Sequence, residues 1–158
     1  MRRLLLLAAI GVLGCASHAA PVSEPQHMTI SRADQRRASP GPAATFVGSV
    51  SVTPMFSPAV GLHASGGRVA FAPGARSAWH THGHGQLLII VEGTGWVQEA
   101  GGPKLEVHAG DVVWTPPGVK HWHGATATTS MTHIAVQEPF DGRAVDWLEP
   151  VTDDQYAH

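Results

Sequence analysis

The stretch Trp79-His80-Thr81-His82-Gly83-His84-Gly85-Gln86, read together with Lys120-His121-Trp122-His123, decides how this chain folds and what chemistry it carries. Six of its 11 histidines lie in these two places or just downstream at His133. Neutral imidazole is the commonest protein ligand for a divalent transition metal. Side chains on a strand alternate between its faces, so histidines one residue apart point the same way. His80 and His82 can therefore hold one ion together. His121 would arrive from a second strand to complete the cluster.

Outward from these blocks the chain reads as short strands punctuated by Gly and Pro. Phe46 to Val52 is a predicted strand, and Pro54 to Gly61 a proline-broken loop. Gly67 to Ala72 is a strand ended by Pro73-Gly74. Leu87 to Glu92 is an apolar run fitting a strand buried on both faces. Gly93-Thr94-Gly95 is predicted to turn the chain, with Trp96 to Glu99 returning. Leu105 to Val107, Val112 to Trp114 and Met131 to Gln137 are further strands, and Asp153 to Tyr156 a terminal helical turn. No stretch shows sustained helical periodicity. The pattern implies an all-β domain, a sandwich or barrel of two layers.

The spacings also match a family. Gly74, His80, His82, Gln86 and Gly93 form one block; Gly110, Pro116, Gly118 and His121 form a second. These blocks resemble the paired motifs of the cupin superfamily. Two positions depart from the usual pattern: Gln86 stands where an acidic ligand is common, and Ala125 where an Asn is common. The resemblance implies a double-stranded β-helix (a jelly roll), with a metal held by His80, His82, Gln86 and His121 in the barrel mouth. Gly74, Gly93 and Gly110 fall at turns where positive φ is expected.

Longer runs narrow the resemblance. Phe71-Ala72-Pro73-Gly74-Ala75-Arg76-Ser77-Ala78-Trp79-His80-Thr81-His82, His121-Trp122-His123-Gly124 and Met131-Thr132-His133-Ile134-Ala135-Val136-Gln137-Glu138 are similar to the small bacterial cupin hydroxynitrile lyases. Those enzymes cleave or form (R)-mandelonitrile-type cyanohydrins with manganese, and they share the Gln ligand. Replacing a carboxylate by an amide leaves the bound ion about one charge more positive, which strengthens it as a Lewis acid. Mixed N/O donors admit Mn, Fe, Co, Ni, Cu or Zn, and the spacing does not choose among them. The resemblance favours Mn(2+). His123 shares a strand face with His121, and His133 shares one with Gln137. The resemblance implies that His123, His133 and Gln137 line the pocket. A cyanohydrin hydroxyl on the metal would acidify, and His123 or His133 is read as the group that takes its proton, Gln137 as orienting the substrate and Ser77 as binding its oxygen. Val69 and Phe71 are expected in the pocket wall, Trp79 and Trp122 on the opposite face, and His84 at the rim. A metal-dependent oxygenase, or a cupin that binds a metal or small molecule without turnover, is the alternative reading.

Composition sets the remaining bounds. The 158 residues suffice for one domain with a sizeable core. Ten Lys and Arg against 12 Asp and Glu form no basic stripe, which argues against nucleic acid as a partner and leaves a small-molecule substrate. Met1-Arg2-Arg3 followed by the apolar run Leu4 to Leu13 is a targeting segment too short to span a bilayer. Residues 1–19 are read as a signal peptide. Val12-Leu13-Gly14-Cys15 resembles a bacterial lipobox, which would cut before Cys15 and tether the protein to a membrane through it; a cut after Ala19 is the other reading. The expected location is outside the bacterial cytoplasm, periplasmic or membrane-anchored. Residues 20–44 read as a flexible tether and 45–158 as the cupin domain. The resemblance implies a homo-oligomer, dimer or tetramer, since small cupins usually pair through exposed strands.

Overall fold

The computed structural model describes residues 27–59 and 61–158. The signal-peptide and Cys15 readings fall on residues outside this range. Among the described residues twelve strands follow a short 3-10 turn at Ala33–Gln35: β1 (Ser39–Pro40), β2 (Phe46–Val47), β3 (Val50–Phe56), β4 (Ser65–Phe71), β5 (Arg76–Ser77) and β6 (His80–Thr81) come first. The 14-residue β7 (Gln86–Glu99) is central. Then follow β8 (Lys104–His108), β9 (Val112–Thr115), β10 (His121–Ala125), β11 (Met131–Gln137), β12 (Asp146–Trp147) and a final helix α1 (Asp153–Ala157).

All strand pairs are antiparallel, in the order β1-β3-β4-β11-β7-β10-β5-β2, with β8 and β9 both added to β7. β7 makes the architecture. Its first half pairs with β11 and β9, and its second half with β10 and β8. One strand thus belongs to two layers and curls the sheet into a barrel. Leu88, Ile90, Val69, Phe71, Val107, Ala125 and Met131 pack between the layers as the core.

The predicted turn at Gly93-Thr94-Gly95 is therefore a bend inside a continuous strand. Gly93 has φ 75°, and a Cβ there would lie 1.9 Å from the Ser130 carbonyl oxygen. At Gly95 a Cβ would lie 2.4 Å from the Gly124 carbonyl oxygen. The glycines let β10 and the Ser130 loop press onto the bend; they do not reverse the chain. Gly74 and Gly110 also take positive φ, as expected.

Other differences are local. Phe46 to Val52 splits at Gly48, whose φ is 81°, so that β2 joins one layer and β3 the other. β3 continues through Pro54 to Phe56, because the register shift between Pro54 and Phe56 absorbs the missing N–H. The sheet begins inside the stretch read as a tether: Ser39 and Pro40 pair with Val52 and Ser51, and Gly41 N–H donates to Val50 O at 2.8 Å. Leu87 to Val91 is buried on one face only. Leu88 and Ile90 point into the barrel, Leu87 and Ile89 are half-covered, and Val91 is exposed.

The C-terminal segment seals the outside of the β10 layer. Trp79, Trp122 and Val151 form a second small core with Trp96 and Tyr156 against it, so Trp79 and Trp122 do face away from the barrel interior. Buried Arg76 donates to Val151 O at 3.1 and 2.9 Å and pairs with Asp153 at 2.6 Å. Thr152 caps α1 with a capping box through Gln155. Trp114 and Trp147 lie at the surface, 55% and 40% exposed.

Candidate metal centre

The centre is built by strand register. His80 on β6 lies opposite His121 on β10, and β10 continues to His123 on the same face. On the other layer Gln86 lies opposite Gln137, and both face inward in the row that ends at Thr115. Two layers thus deliver imidazoles from one side and an amide from the other. The ligand-capable atoms of His80, His82 and His121 lie within 4.8 Å of one another, and all three residues are buried.

Each ring is oriented by a backbone carbonyl. His80 Nδ1 donates to Ala78 O at 2.9 Å, His82 Nδ1 to Ala144 O at 2.7 Å, and His121 Nδ1 to Val119 O at 3.0 Å. A carbonyl only accepts, so the proton must sit on Nδ1 in every case. That fixes the tautomer and leaves each Nε2 bare as a ligand. His82 Nε2 is buried with no hydrogen-bond partner among the described residues. His121 Nε2 and Gln86 Oε1 lie 3.1 Å apart. With the His121 proton on Nδ1, both are lone-pair atoms, and nothing stands between them to relieve their repulsion. A cation shared by these four groups would satisfy every one of them. The donor set therefore fits a divalent metal.

Electrostatics favour the ligand form. Burial lowers the pKa of His80 well below the ordinary histidine value, with the neighbouring His121 adding to it. Burial also lowers His82, and it lowers His121 to about 4. At neutral pH these rings are uncharged.

The remaining predicted site residues divide. His123 and His133 form a dyad: His133 Nε2 and His123 Nδ1 share a hydrogen bond at 3.1 Å. Burial is the largest cause of the lowered pKa of both, with His133 at about 3. The outer atoms of the pair, His123 Nε2 and His133 Nδ1, are buried without a partner among the described residues. Gln137 Nε2 donates to Ser65 Oγ at 3.2 Å, and its Oε1 accepts from Gln86 Nε2 at 3.5 Å, which turns the Gln86 oxygen toward the histidines. Ser77 does not line the pocket. It is fully buried, and its hydroxyl accepts the His123 backbone N–H at 3.2 Å. His84 lies half-exposed beside Glu138 and edge-on to Phe140, away from the ligand cluster. His63, His108 and His158 are on the surface.

A cavity of about 370 Å³ opens onto His80, Gln86, His123, His133 and Gln137. Its apolar wall includes Phe46, Val69 and Trp147. Val69 is where the sequence reading put it; Phe71 instead packs behind the dyad, 5.5 Å from the His133 ring. Two contributors were not placed at the site from the sequence. The Trp147 ring lies 4.8 Å from the His80 ring, tilted at 45° to it, brought there by β12 pairing with β6. Ala144 acts only through its carbonyl, which any residue could supply.

A cupin-domain family model matches residues 67–136. The (R)-mandelonitrile lyase of Granulicella tundricola is 53% identical over 129 residues, spanning 82% of this chain and 98% of that protein. The chain belongs to the cupin family. Among solved structures, a cupin-like protein from Thermotoga maritima superposes on this cupin with a TM-score of 0.72 at 38% identity, covering 76% of this chain and 91% of that one. A predicted oxalate decarboxylase from the same organism shares the fold at 22% identity and a TM-score of 0.62, covering 76% and 100%.

Proposed function

We propose that this cupin is a metal-dependent lyase that cleaves and forms cyanohydrins of the mandelonitrile type. The observation that carries this reading is the pairing of a charge-neutral donor set with a second, buried histidine dyad that opens on the same cavity. The curated relative named (R)-mandelonitrile lyase, similar over nearly its whole length, supports it. The volume and lining suit a small aromatic cyanohydrin: Phe46 and Trp147, 5.7 Å apart, offer ring edges and faces to a phenyl group.

His80, His82, His121 and Gln86 would hold the ion, whose chemistry is to acidify a hydroxyl and stabilise the oxygen charge that develops. His123 Nε2 faces the reacting group and takes the hydroxyl proton. In the tautomer where His123 Nδ1 donates to His133 Nε2 across their 3.1 Å hydrogen bond, this nitrogen is bare. The O–H pair becomes the carbonyl π bond, and the carbon–carbon pair leaves with the nitrile carbon. The imidazolium formed at His123 then returns the proton to cyanide, so aldehyde and hydrogen cyanide leave and the dyad is restored. The reverse sequence builds the cyanohydrin. Gln137 orients the substrate beside Gln86, and Ser77 positions His123 through its backbone.

The ion we propose is manganese, on the resemblance to the manganese-dependent cupin lyases; the amide oxygen of Gln86 is a hard donor that such an ion accepts. We also propose export, with residues 1–19 removed or Cys15 lipidated. The test is mandelonitrile cleavage under nitrogen by the metal-loaded protein. Release of benzaldehyde that chelation abolishes is expected. Turnover only in air would replace the lyase reading with the oxygenase, and none in either gas would leave a binding protein.

A further inference from the structure

His82 is oriented differently from the other two histidines of the metal centre. His80 and His121 each donate to a carbonyl two residues back, at Ala78 and Val119. Those bonds are local and are set as β6 and β10 form. His82 lies just past the end of β6 and donates to Ala144 O, 62 residues further along the chain. Its orientation therefore depends on where the segment after β11 is held.

That segment has little local support. β12 is two residues long, and its pairing with β6 reaches Thr81 and His80 alone. Beyond it, Leu148 N–H donates to Trp79 O at 2.9 Å and Trp79 N–H to Glu149 O at 3.0 Å. A ribbon this short is marginal by itself. The firm attachment comes at Val151. Its side chain is fully buried with Trp79 and Trp122, and its carbonyl accepts from both Nε and Nη2 of Arg76. Arg76 makes this attachment obligatory. The residue is 4% exposed, and a buried guanidinium is tolerated only when it is paired. Asp153 at 2.6 Å and the face of Tyr156, 4.6 Å from the guanidinium carbon, complete the pairing from the C-terminal side. Among the described residues the only other acceptor for the guanidinium is Gly74 O, at 3.4 Å. If filling space were all that was needed, an apolar side chain would do it at lower cost.

We propose that Arg76 is a positioning residue for the metal centre. By fixing the C-terminal segment at Val151, it keeps Ala144 O against His82 Nδ1 and Trp147 beside His80. The inference rests on the metal centre and not on the lyase reaction. Linkage makes the effect reciprocal: docking of the segment and binding of the ion strengthen each other by the same factor.

The experiment is a competitive chelator titration of the full chain with manganese(II) and, in parallel, zinc(II). Wild type is compared with Arg76→Met, Arg76→Lys, Val151→Ala and Val50→Ala. Methionine fills the space without a donor, and lysine supplies one ammonium in place of the fork. Val151→Ala loosens the same anchor without altering β5. Val50→Ala is a core control on β3, which pairs with none of β5, β6 and β12. Arg76→Met and Val151→Ala should weaken metal binding about tenfold or more, the range for losing a group behind a metal ligand, with Arg76→Lys between them and wild type. Val50→Ala should stay within about twofold of wild type despite a lower Tm. Hydrogen exchange gives a second reading: the ion should slow exchange of the Trp79 and Leu148 amides in wild type, and less so in Arg76→Met. If Arg76→Met fails to fold, Val151→Ala reads the same anchor. Wild-type affinity in the folded anchor variants overturns the proposal while leaving the metal centre intact. A loss in Val50→Ala as large as theirs also overturns it, by making the effect one of general stability. Uptake of neither ion by the wild type overturns the metal centre itself, and this inference with it.

Discussion

Stripping the metal and lowering the pH should unfold this protein far above the carboxylate range. The cause is five buried imidazoles kept neutral by the fold. His133 is lowered to about 3 and His121 to about 4, against 6.5 for an ordinary histidine. His80, His82 and His123 move the same way. At pH 5 the unfolded chain binds nearly one proton at each of these positions. At that pH folded His133 binds almost none, and His121 about a tenth. The unfolded state therefore holds more protons, and stability rises with pH. The contribution is complete above about pH 6.5 and is lost as pH falls toward the folded values. One proton is worth about 1.4 kcal/mol per pH unit, so His133 and His121 alone give a slope between about 2 and 3 kcal/mol per pH unit. Two pH units at that slope consume about 5 kcal/mol, comparable with the whole stability of a small domain. The assay is urea denaturation of chelator-treated protein at pH 7, 6, 5 and 4.5. A slope below about 1.4 kcal/mol per pH unit between pH 6 and 5 means fewer than one proton is taken up, and would refute the burial argument. Loading the metal should push the onset to lower pH, because protons and the ion compete for the same nitrogens.

Three further outcomes follow from the geometry. Gly93→Ala places a methyl group 1.9 Å from Ser130 O at φ 75° and should cost at least about 2 kcal/mol, read as a lower Tm; an unchanged Tm would mean β7 does not need that bend. Gln86→Glu should tighten metal binding more than about tenfold in a competitive chelator titration while lowering kcat, since a carboxylate cancels part of the ion's charge; equal affinity would remove Gln86 from the ligand set. His123→Ala should keep stoichiometric metal but lower kcat about a hundredfold, and an unchanged rate would end its proton-transfer role.

The parts of the site that sequence revealed are those a strand's two-residue period carries. His121 and His123 alternate correctly, as do His133, Ala135 and Gln137, so their shared faces could be worked out before any coordinates. Gly74, Gly93 and Gly110 announced positive φ, but not what each would do with it. At Gly93 a turn and a bend in a continuous strand look the same in sequence, and only the pressure of Ser130 separates them. Contacts made by backbone atoms were invisible: the Ala144 carbonyl that orients His82 leaves no mark in residue type. The place of Trp147 beside His80 was hidden for a related reason, because two-residue strands such as β12 have no periodicity to read. Ser77 was read as a binder of substrate oxygen, yet its hydroxyl bonds the backbone of β10.

The account stands on four donors meeting at one ion, and X-ray diffraction at the absorption edge of the bound metal tests that most directly. The anomalous map should show a single peak enclosed by the Nε2 atoms of His80, His82 and His121 and the Oε1 atom of Gln86. A peak elsewhere, or one that the Gln86 side chain turns away from, would contradict it.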